Sequence, residues 1–453
     1  MAGQVTHESQ HDSRCLAKHP AAVETVFSGL VCKRLICQLF QAFSQQNLYA
    51  DKRIIGINAQ LEMKSPATEQ HQEKPTAQKK RRLRLALVSC GLGNVHRGFE
   101  VSTLRWYDAL KQHPDLDVRL FRGGKHPEGH LVWNIPRDWV LNSPLAIFRP
   151  INRRRYWEFC YGVEMVSFGL FFWPDLFKFR PDIIWTKEVP FGYFLPFYRA
   201  ALCLRSKIIF ANGGAFRPST YKDFDYIQHL TQESYEEALE FGISPEKMEV
   251  LTNTITFHEP STSREQIRTE LGYAEKDWVI ICVSAWNAYH KRIDYLIDEI
   301  ASIDDPSVKL LLCGHPDAET GVLKQRAEQK LGNRVQWKTV SDEKVHAYMK
   351  ASDTLVLAST EECLGNCVAE AVMAGLPVIT HSHTASRYIL GTSQCEWMVD
   401  LTQSGAVRQR VLELRGDKGA RDRVKLAQPR VTECFSAQSL VPKFYDMAVR
   451  LRG

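Results

Sequence analysis

Glu362 and Glu370 flank a turn in the stretch "ASTEECLGNCVAEAVMAGLPVITHS", residues 358–382. The strand-like "TLVLAST" stops at Glu361 and Glu362, and "CLGN" opens an apolar helix at Asn366. The free backbone N–H groups and positive dipole end of such a helix attract phosphate. Gly365 removes the side chain that would block a diphosphate there. Glu370, one turn into the helix, can accept hydrogen bonds from vicinal hydroxyls such as those of a ribose. Glu362 would face the hydroxyls of whatever is attached beyond the phosphates. Acids at a helix start are also ordinary dipole partners, and for Glu370 alone that reading has even weight. The company of these residues favours chemistry: "WVIICVSAWNAYHKRIDYLI" ends its strand in a turn carrying Lys291 and Arg292, cations able to neutralise a departing diphosphate. An ordinary helix start prefers acids to bases, so this pair breaks the local rule.

The elements that must position these residues follow from the pattern. From residue 83 the chain alternates strand and helix: "RLALVSCG", the helical "GFEVSTLRWYDALKQH", then "DVRLF", with "PDIIWT", "SKIIFANGG" and "MEVLTN" as later strands. A second series has strands "WVIICVSAW", "VKLLLCGH", "RVQWKT", "TLVLAST" and "PVITHS", with helices near 291–303, 319–331, 342–351 and 366–375. The expectation is an α/β protein of two tandem Rossmann-like domains. The predicted boundaries are an extension and linker at 1–82, a first Rossmann-like domain at 83–260, a second at 261–432, and a terminal helix at 433–453. Ligands of open α/β sheets bind beyond the carboxyl ends of the strands, which places the site in a cleft between the domains.

Composition narrows the classes. With 44% hydrophobic and 24% charged residues in a chain of 453, a folded body is expected. A net charge of +6 over so large a surface lacks the concentrated basic stripe of a nucleic-acid binder. The twelve cysteines show no paired zinc spacing, and Cys282 and Cys313 sit in apolar runs, which fits a reducing, cytoplasmic setting. The N-terminus lacks a signal-peptide layout. "AVETVFSGLVCKRLICQLFQAF" has a broad helical apolar face, read as docking on the body, staying disordered or lying on a membrane surface, and the polar tether after it ends in the basic "KKRRLR". "FRPINRRRYWEFCYGVEMVSFGLFFW" reads as a buried helix with a cationic entry, Arg153 to Arg155, or as a site where those arginines meet an anionic or lipid-linked acceptor.

The region from about 84 to 453 resembles the family 4 glycosyltransferases of the GT-B fold, which transfer a sugar from a nucleotide donor with retention of configuration. The segment "EECLGNCVAEAVMAGLPVI" matches that family's Glu-x7-Glu element, with Glu362 and Glu370 at the right separation. The resemblance implies that Glu362 contacts the donor sugar, that Leu364, Gly365, Asn366 and Cys367 offer backbone to sugar and phosphate, and that Glu370 binds the ribose. It implies Lys291 of "HKRIDYLI" as the phosphate clamp, Gly314 of "LLLCGHPD" as the family's strand-Gly loop, and the turn from Lys338 to Val340 as the reader of the base. In the first domain it places Gly98 and Glu100 of "RGFE" beside the donor phosphates, and it sends the terminal helix back to that domain.

Two departures stand out. The arginine expected five residues before the lysine is Trp286, leaving Arg292 as a substitute cation, and the first-domain histidine near the donor sugar is replaced by Asn212, which keeps a hydrogen bond but cannot relay a proton. Positioning and positive charge would then carry the reaction, with no metal or other cofactor. The implied partners are a nucleotide-diphosphate sugar and a glycan, lipid-linked or small-molecule acceptor, with the protein cytoplasmic or peripheral at the inner face of a membrane. The other readings are a non-catalytic nucleotide-sugar-binding protein and, less consistent with a phosphate turn, a two-carboxylate glycoside hydrolase. A dinucleotide fingerprint fails in "CGLGNVHRG" because His96 takes the third glycine position. His381 and His383 of "HSHTASR" suit a polar loop better than a metal site.

Overall fold

The computed structural model describes residues 81–95, 97–145, 153–214, 216–391 and 397–452, with Arg153–Arg155 and Trp157 described by backbone alone. The expected N-terminal helix and polar tether, and His96, lie outside the described residues.

Two parallel sheets organise the chain from Arg81 onward. The first contains β1 (Leu83–Ser89), β2 (Leu116–Arg122), β3 (His130–Leu131), β4 (Ile183–Thr186), β5 (Lys207–Asn212), β6 (Tyr226–His229) and β7 (Met248–Val250), in the order β3-β2-β1-β4-β5-β6-β7. The second contains β8 (Trp278–Val283), β9 (Val308–Cys313), β10 (Val335–Lys338), β11 (Thr354–Leu357), β12 (Val378–His381) and β13 (Met398–Val399), in the order β10-β9-β8-β11-β12-β13. Both have the reversal of strand order beside the first strand that leaves a crevice at the carboxyl edge.

The apolar runs read as strands because helices cover both faces of each sheet. In β8, Val279 and Ile281 join one apolar cluster while Ile280 and Cys282 join the other. The reduced Cys282 and Cys313 pack as small hydrophobes. Strands β3, β6 and β13 were not visible in the sequence: β3 and β13 have two residues each, and β6 is polar, with Gln228 and His229 buried.

The terminal helix, Ala437–Arg452, leaves the second domain and enters the core of the first, where Leu440, Phe444, Met447 and Ala448 pack with Leu83, Trp106 and Trp185. Trp106 and Phe444 meet with ring centroids 5.1 Å apart. Pro442 lies inside this helix.

The Arg153–Phe179 helix corrects another expectation. Met165, Phe168, Phe172 and Leu176 are buried, but Phe159, Phe171, Trp173 and Phe177 on its other side are exposed, so it is not a buried helix. Among the described residues no helix is long and apolar enough to cross a membrane.

Candidate active site

The turn expected to receive phosphate is built as a strand-to-helix corner. Strand β11 leads through residues 358–365 into the Asn366–Met373 helix, with Gly365 as its N-cap in the left-handed region at φ 73°. A Cβ on Gly365 would meet nothing closer than 3.4 Å, so conformation rather than crowding demands glycine here. Leu364 is buried in the core and anchors the turn from below. Asn366 begins the helix with its buried Oδ1 making no hydrogen bond to the protein, and Cys367 follows half-buried against the core.

Glu362 and Lys291 form an ion pair across the site, and Ser359 Oγ donates to the same Glu362 oxygen at 2.6 Å. Burial alone would raise the Glu362 pKa, but Lys291, Ser359 and His290 outweigh it and hold the carboxyl below its ordinary value. The Lys291 turn is fixed by Asn287, whose Oδ1 accepts from the backbone N–H of Lys291 at 2.8 Å and of His290 at 3.2 Å. His290 reaches the Glu361 carbonyl at 3.1 Å, tying the two loops together.

Arg292 does not join this pair. It caps the Ile293–Ala301 helix in the left-handed region, donates to the Leu401 carbonyl at 2.7 Å, and lies over the Tyr295 ring. Its guanidinium is engaged by the Leu401 carbonyl and the Tyr295 ring. Trp286 is buried edge-on against Trp337, with Lys324 over both rings.

Gly314 closes β9 where crowding and conformation both require glycine: φ is 151°, and a Cβ would fall 1.8 Å from the Ser284 carbonyl. Its N–H donates to the Lys338 carbonyl at 3.0 Å and its carbonyl accepts from Thr339 Oγ1 at 2.7 Å, which sets the turn from Lys338 to Val340 beside it. Val340 packs its side chain on the core.

Glu370 is buried, and its Oε1 accepts from Arg105 of the first domain at 2.7 Å. Arg105 also reaches Asp342 at 2.9 Å, and His346 lies 3.9 Å from the other Glu370 oxygen. Burial opposes the charge on Arg105, but Glu370 and Asp342 more than offset it and raise its pKa. This contact brings the helix after β1 against the helix after β11, so the carboxyl edges of the two sheets face one another.

On the first-domain side, Gly98 starts the Gly98–Leu110 helix, and a Cβ there would meet nothing within 4 Å. Glu100 is buried, with its carboxyl close under Gly91, and burial pushes its pKa up despite Arg137 nearby. It belongs to a buried polar group in which Arg137 Nε donates to Glu164 at 2.6 Å and Glu188 accepts from the Cys90 N–H at 3.0 Å. Asn212 ends β5, buried, with an Oδ1 that makes no hydrogen bond to the protein.

Lys187 went unnoticed in the sequence, although it directly follows β4 at the sheet edge where ligands bind. It is 1% exposed and donates to Ser102 Oγ at 2.6 Å and Asn253 Oδ1 at 2.9 Å. Burial lowers its pKa to about 7, partly countered by Glu188 and Glu100. Arg105 carried no local signal at all, since a lone arginine on a helix usually faces water.

His381 and His383 are occupied by backbone: His381 Nδ1 accepts from the Leu401 N–H at 3.1 Å and His383 Nδ1 from the Ser386 N–H at 3.1 Å. Among the described residues no three His, Cys, Asp or Glu side chains are grouped to hold a metal ion.

Two parallel α/β domains facing one another across a polar cleft, tied by a terminal helix that returns to the first, define the GT-B fold. Residues 263–429 match the family model of glycosyl transferases group 1. Among solved structures, the chain is similar to HepE of Anabaena in complex with UDP and glucose, at 14% identity and TM-score 0.64, covering 82% of this chain and 100% of that one. It is similar to the sucrose-phosphate synthase of Thermosynechococcus elongatus at 16% identity and TM-score 0.65, covering 82% and 99%. It is also similar to the trehalose-6-phosphate phosphatase N-terminal domain of Candida albicans at 14% identity and TM-score 0.63, covering 85% and 100%. At these identities the likeness concerns the fold. No curated protein matches the sequence.

Proposed function

We propose that the protein is a retaining glycosyltransferase that moves a sugar from a nucleotide-diphosphate sugar to a glycan, lipid-linked or small-molecule acceptor in glycoconjugate or polysaccharide synthesis. The observation that carries the proposal is the Lys291–Glu362 pair at the mouth of the Asn366–Met373 helix, which puts one cation and one carboxylate beside backbone N–H groups with no partner inside the helix. In this reading the donor diphosphate takes the helix end and Lys291, releasing Glu362 to accept from sugar hydroxyls. Glu370 takes the ribose, and the Lys338–Val340 turn beside Gly314 takes the base. Asn212 holds the sugar from the other side of the cleft and Gly98 leaves room for the phosphates. Lys291 and the helix end offset charge as the leaving group departs, so no metal or other cofactor is called for.

HepE binds UDP and glucose in its solved complex, which makes a uridine donor the first to test. The experiment is a panel of nucleotide sugars with the purified protein, read as transfer and as donor hydrolysis, with isothermal calorimetry of the free nucleotides alongside. Turnover with at least one donor supports the proposal. Tight nucleotide binding with neither transfer nor hydrolysis supports the second reading, a non-catalytic nucleotide-sugar-binding protein, which Asn212 and the buried Trp286 favour. No binding by any nucleotide removes both.

A further inference from the structure

The segment from Leu131 to Phe177 carries nine of the sixteen large hydrophobic side chains that are exposed among the described residues, so apolar exposure is concentrated on one side of the first domain. Trp133, Trp139, Phe159, Phe171, Trp173 and Phe177 are each between 49% and 69% exposed. Monomeric soluble proteins rarely leave so much contiguous apolar surface open without a use for it. The stripe Phe159, Leu170, Trp173 and Phe177 repeats at helical spacing along the Arg153–Phe179 helix, which at 27 residues is about 40 Å long. Trp133 from the segment after β3 lies edge-on to Phe171 with ring centroids 4.7 Å apart, so the face spans two elements and is wider than one helix.

Its composition points to one kind of occupant. Six of the nine are aromatic and three aliphatic, and the three tryptophans carry the N–H handle that suits the headgroup layer of a bilayer. Basic residues stand at both ends of the helix: Arg153, Arg154 and Arg155 at its head in the sequence, Lys178 and Arg180 at its foot. Setting aside the buried Arg137–Glu164 pair, residues 130–180 hold six Arg or Lys against three Asp or Glu. A tryptophan-bearing apolar face between cationic ends matches anionic headgroups over an apolar interior, and a protein partner, which aromatic and arginine side chains also serve, is an outcome of the test. We infer that the exposed aromatic face of the Arg153–Phe179 helix, with Trp133 and Trp139 beside it, is a docking surface for an anionic lipid bilayer.

The face lies lengthwise on the membrane without crossing it. Glu164, on the same helix, hydrogen-bonds Asn94 at 3.0 Å in the loop after β1, so the helix borders the carboxyl edge of the first sheet and the cleft. Docking would therefore hold the cleft close to the lipid surface. The inference needs no glycosyl transfer and stands or falls separately from it.

The test is co-sedimentation of the full chain with vesicles of phosphatidylcholine alone and of phosphatidylcholine mixed equally with phosphatidylglycerol. The wild type is compared with the quadruple variant Trp133→Ser, Phe171→Ser, Trp173→Ser, Phe177→Ser. All four side chains are about half exposed, so the variant should fold, as checked by its circular dichroism and melting temperature. The expected result is that the wild type pellets with the anionic vesicles, far less with the neutral ones, and that the variant loses about tenfold or more of its bound fraction. Three results would overturn the inference: a wild type that stays in solution with both vesicles; a variant that pellets like the wild type, which would assign binding to residues 1–80; or a wild-type dimer in light scattering that the variant turns into monomer, which would make the face a contact between copies. If the variant is misfolded, the pair Arg154→Glu, Arg155→Glu takes its place, and pelleting equal to the wild type on anionic vesicles counts against the inference.

Discussion

Arg105 of the first domain donates to Glu370 of the second at 2.7 Å and holds Asp342 with its other amino group at 2.9 Å. The carboxylate proposed to receive the donor ribose is thus already engaged by a cation from across the cleft. In the proposed complex the ribose has to displace this contact, which also ties the first domain to the second.

Replacing Arg105 by Met leaves Glu370 buried without its main partner. Removing one member of a buried pair costs about 3 kcal/mol, so the urea midpoint should fall clearly, and Glu370→Gln in the same chain should restore part of it. With the competitor gone, UDP should bind about fivefold more tightly by calorimetry. Weaker binding would show that Arg105 belongs to the nucleotide site and not to a latch over it.

Lys291→Ala should reduce turnover on the best donor by about a hundredfold, the usual scale for deleting one preorganised charge at a leaving group. Glu362→Gln should also slow transfer while leaving affinity for the free nucleotide within about threefold, since the sugar and not the nucleotide meets it. Unchanged transfer by Glu362→Gln would remove that residue from the sugar site.

Gly98→Ala and Gly314→Ala separate protein packing from ligand approach. A Cβ at Gly98 meets nothing within 4 Å, so stability should move by less than about 0.5 kcal/mol, and any loss of donor affinity reads a phosphate passing close by. A Cβ at Gly314 lies 1.8 Å from the Ser284 carbonyl, so that variant should lose about 3 kcal/mol or fail to fold. Equal melting temperatures for the two would contradict the geometry.

Lys187 has a pH signature. Its folded pKa is about 7 against an ordinary 10.5, so between those values the unfolded chain binds the proton that the folded chain has released. Its contribution to stability is then unfavourable below pH 7 and is relieved as pH rises toward 10.5. Unfolding free energies of the wild type should accordingly rise between pH 7 and 9.5 relative to those of Lys187→Met. Parallel curves would mean that Lys187 stays charged through its bonds to Ser102 and Asn253.

The sequence by itself determined most strands of the two sheets and the strand-to-helix turn at Gly365, because both are written locally. Parallel strands buried on two faces are uninterrupted apolar runs, as in Val279–Cys282, and a helix opened by glycine after a strand needs only neighbouring residues to form. Lys291 and Glu362, both named from sequence, do meet. What only the tertiary structure decided is where the remaining charges point. Arg292 neighbours Lys291 in sequence, yet a left-handed backbone turns it behind the loop. Glu100 follows Gly98 closely but lies inside the domain, and Arg105, Lys187 and Glu370 find their partners 66 to 265 residues away. The Arg153–Phe179 helix shows the same limit on its apolar side: one run of aromatic residues holds both a buried and an open face, and only the packing of β2 and Phe191 against it tells which is which. Periodicity is a property of neighbours along the chain, whereas direction and burial of a side chain are set by groups that the fold brings from elsewhere.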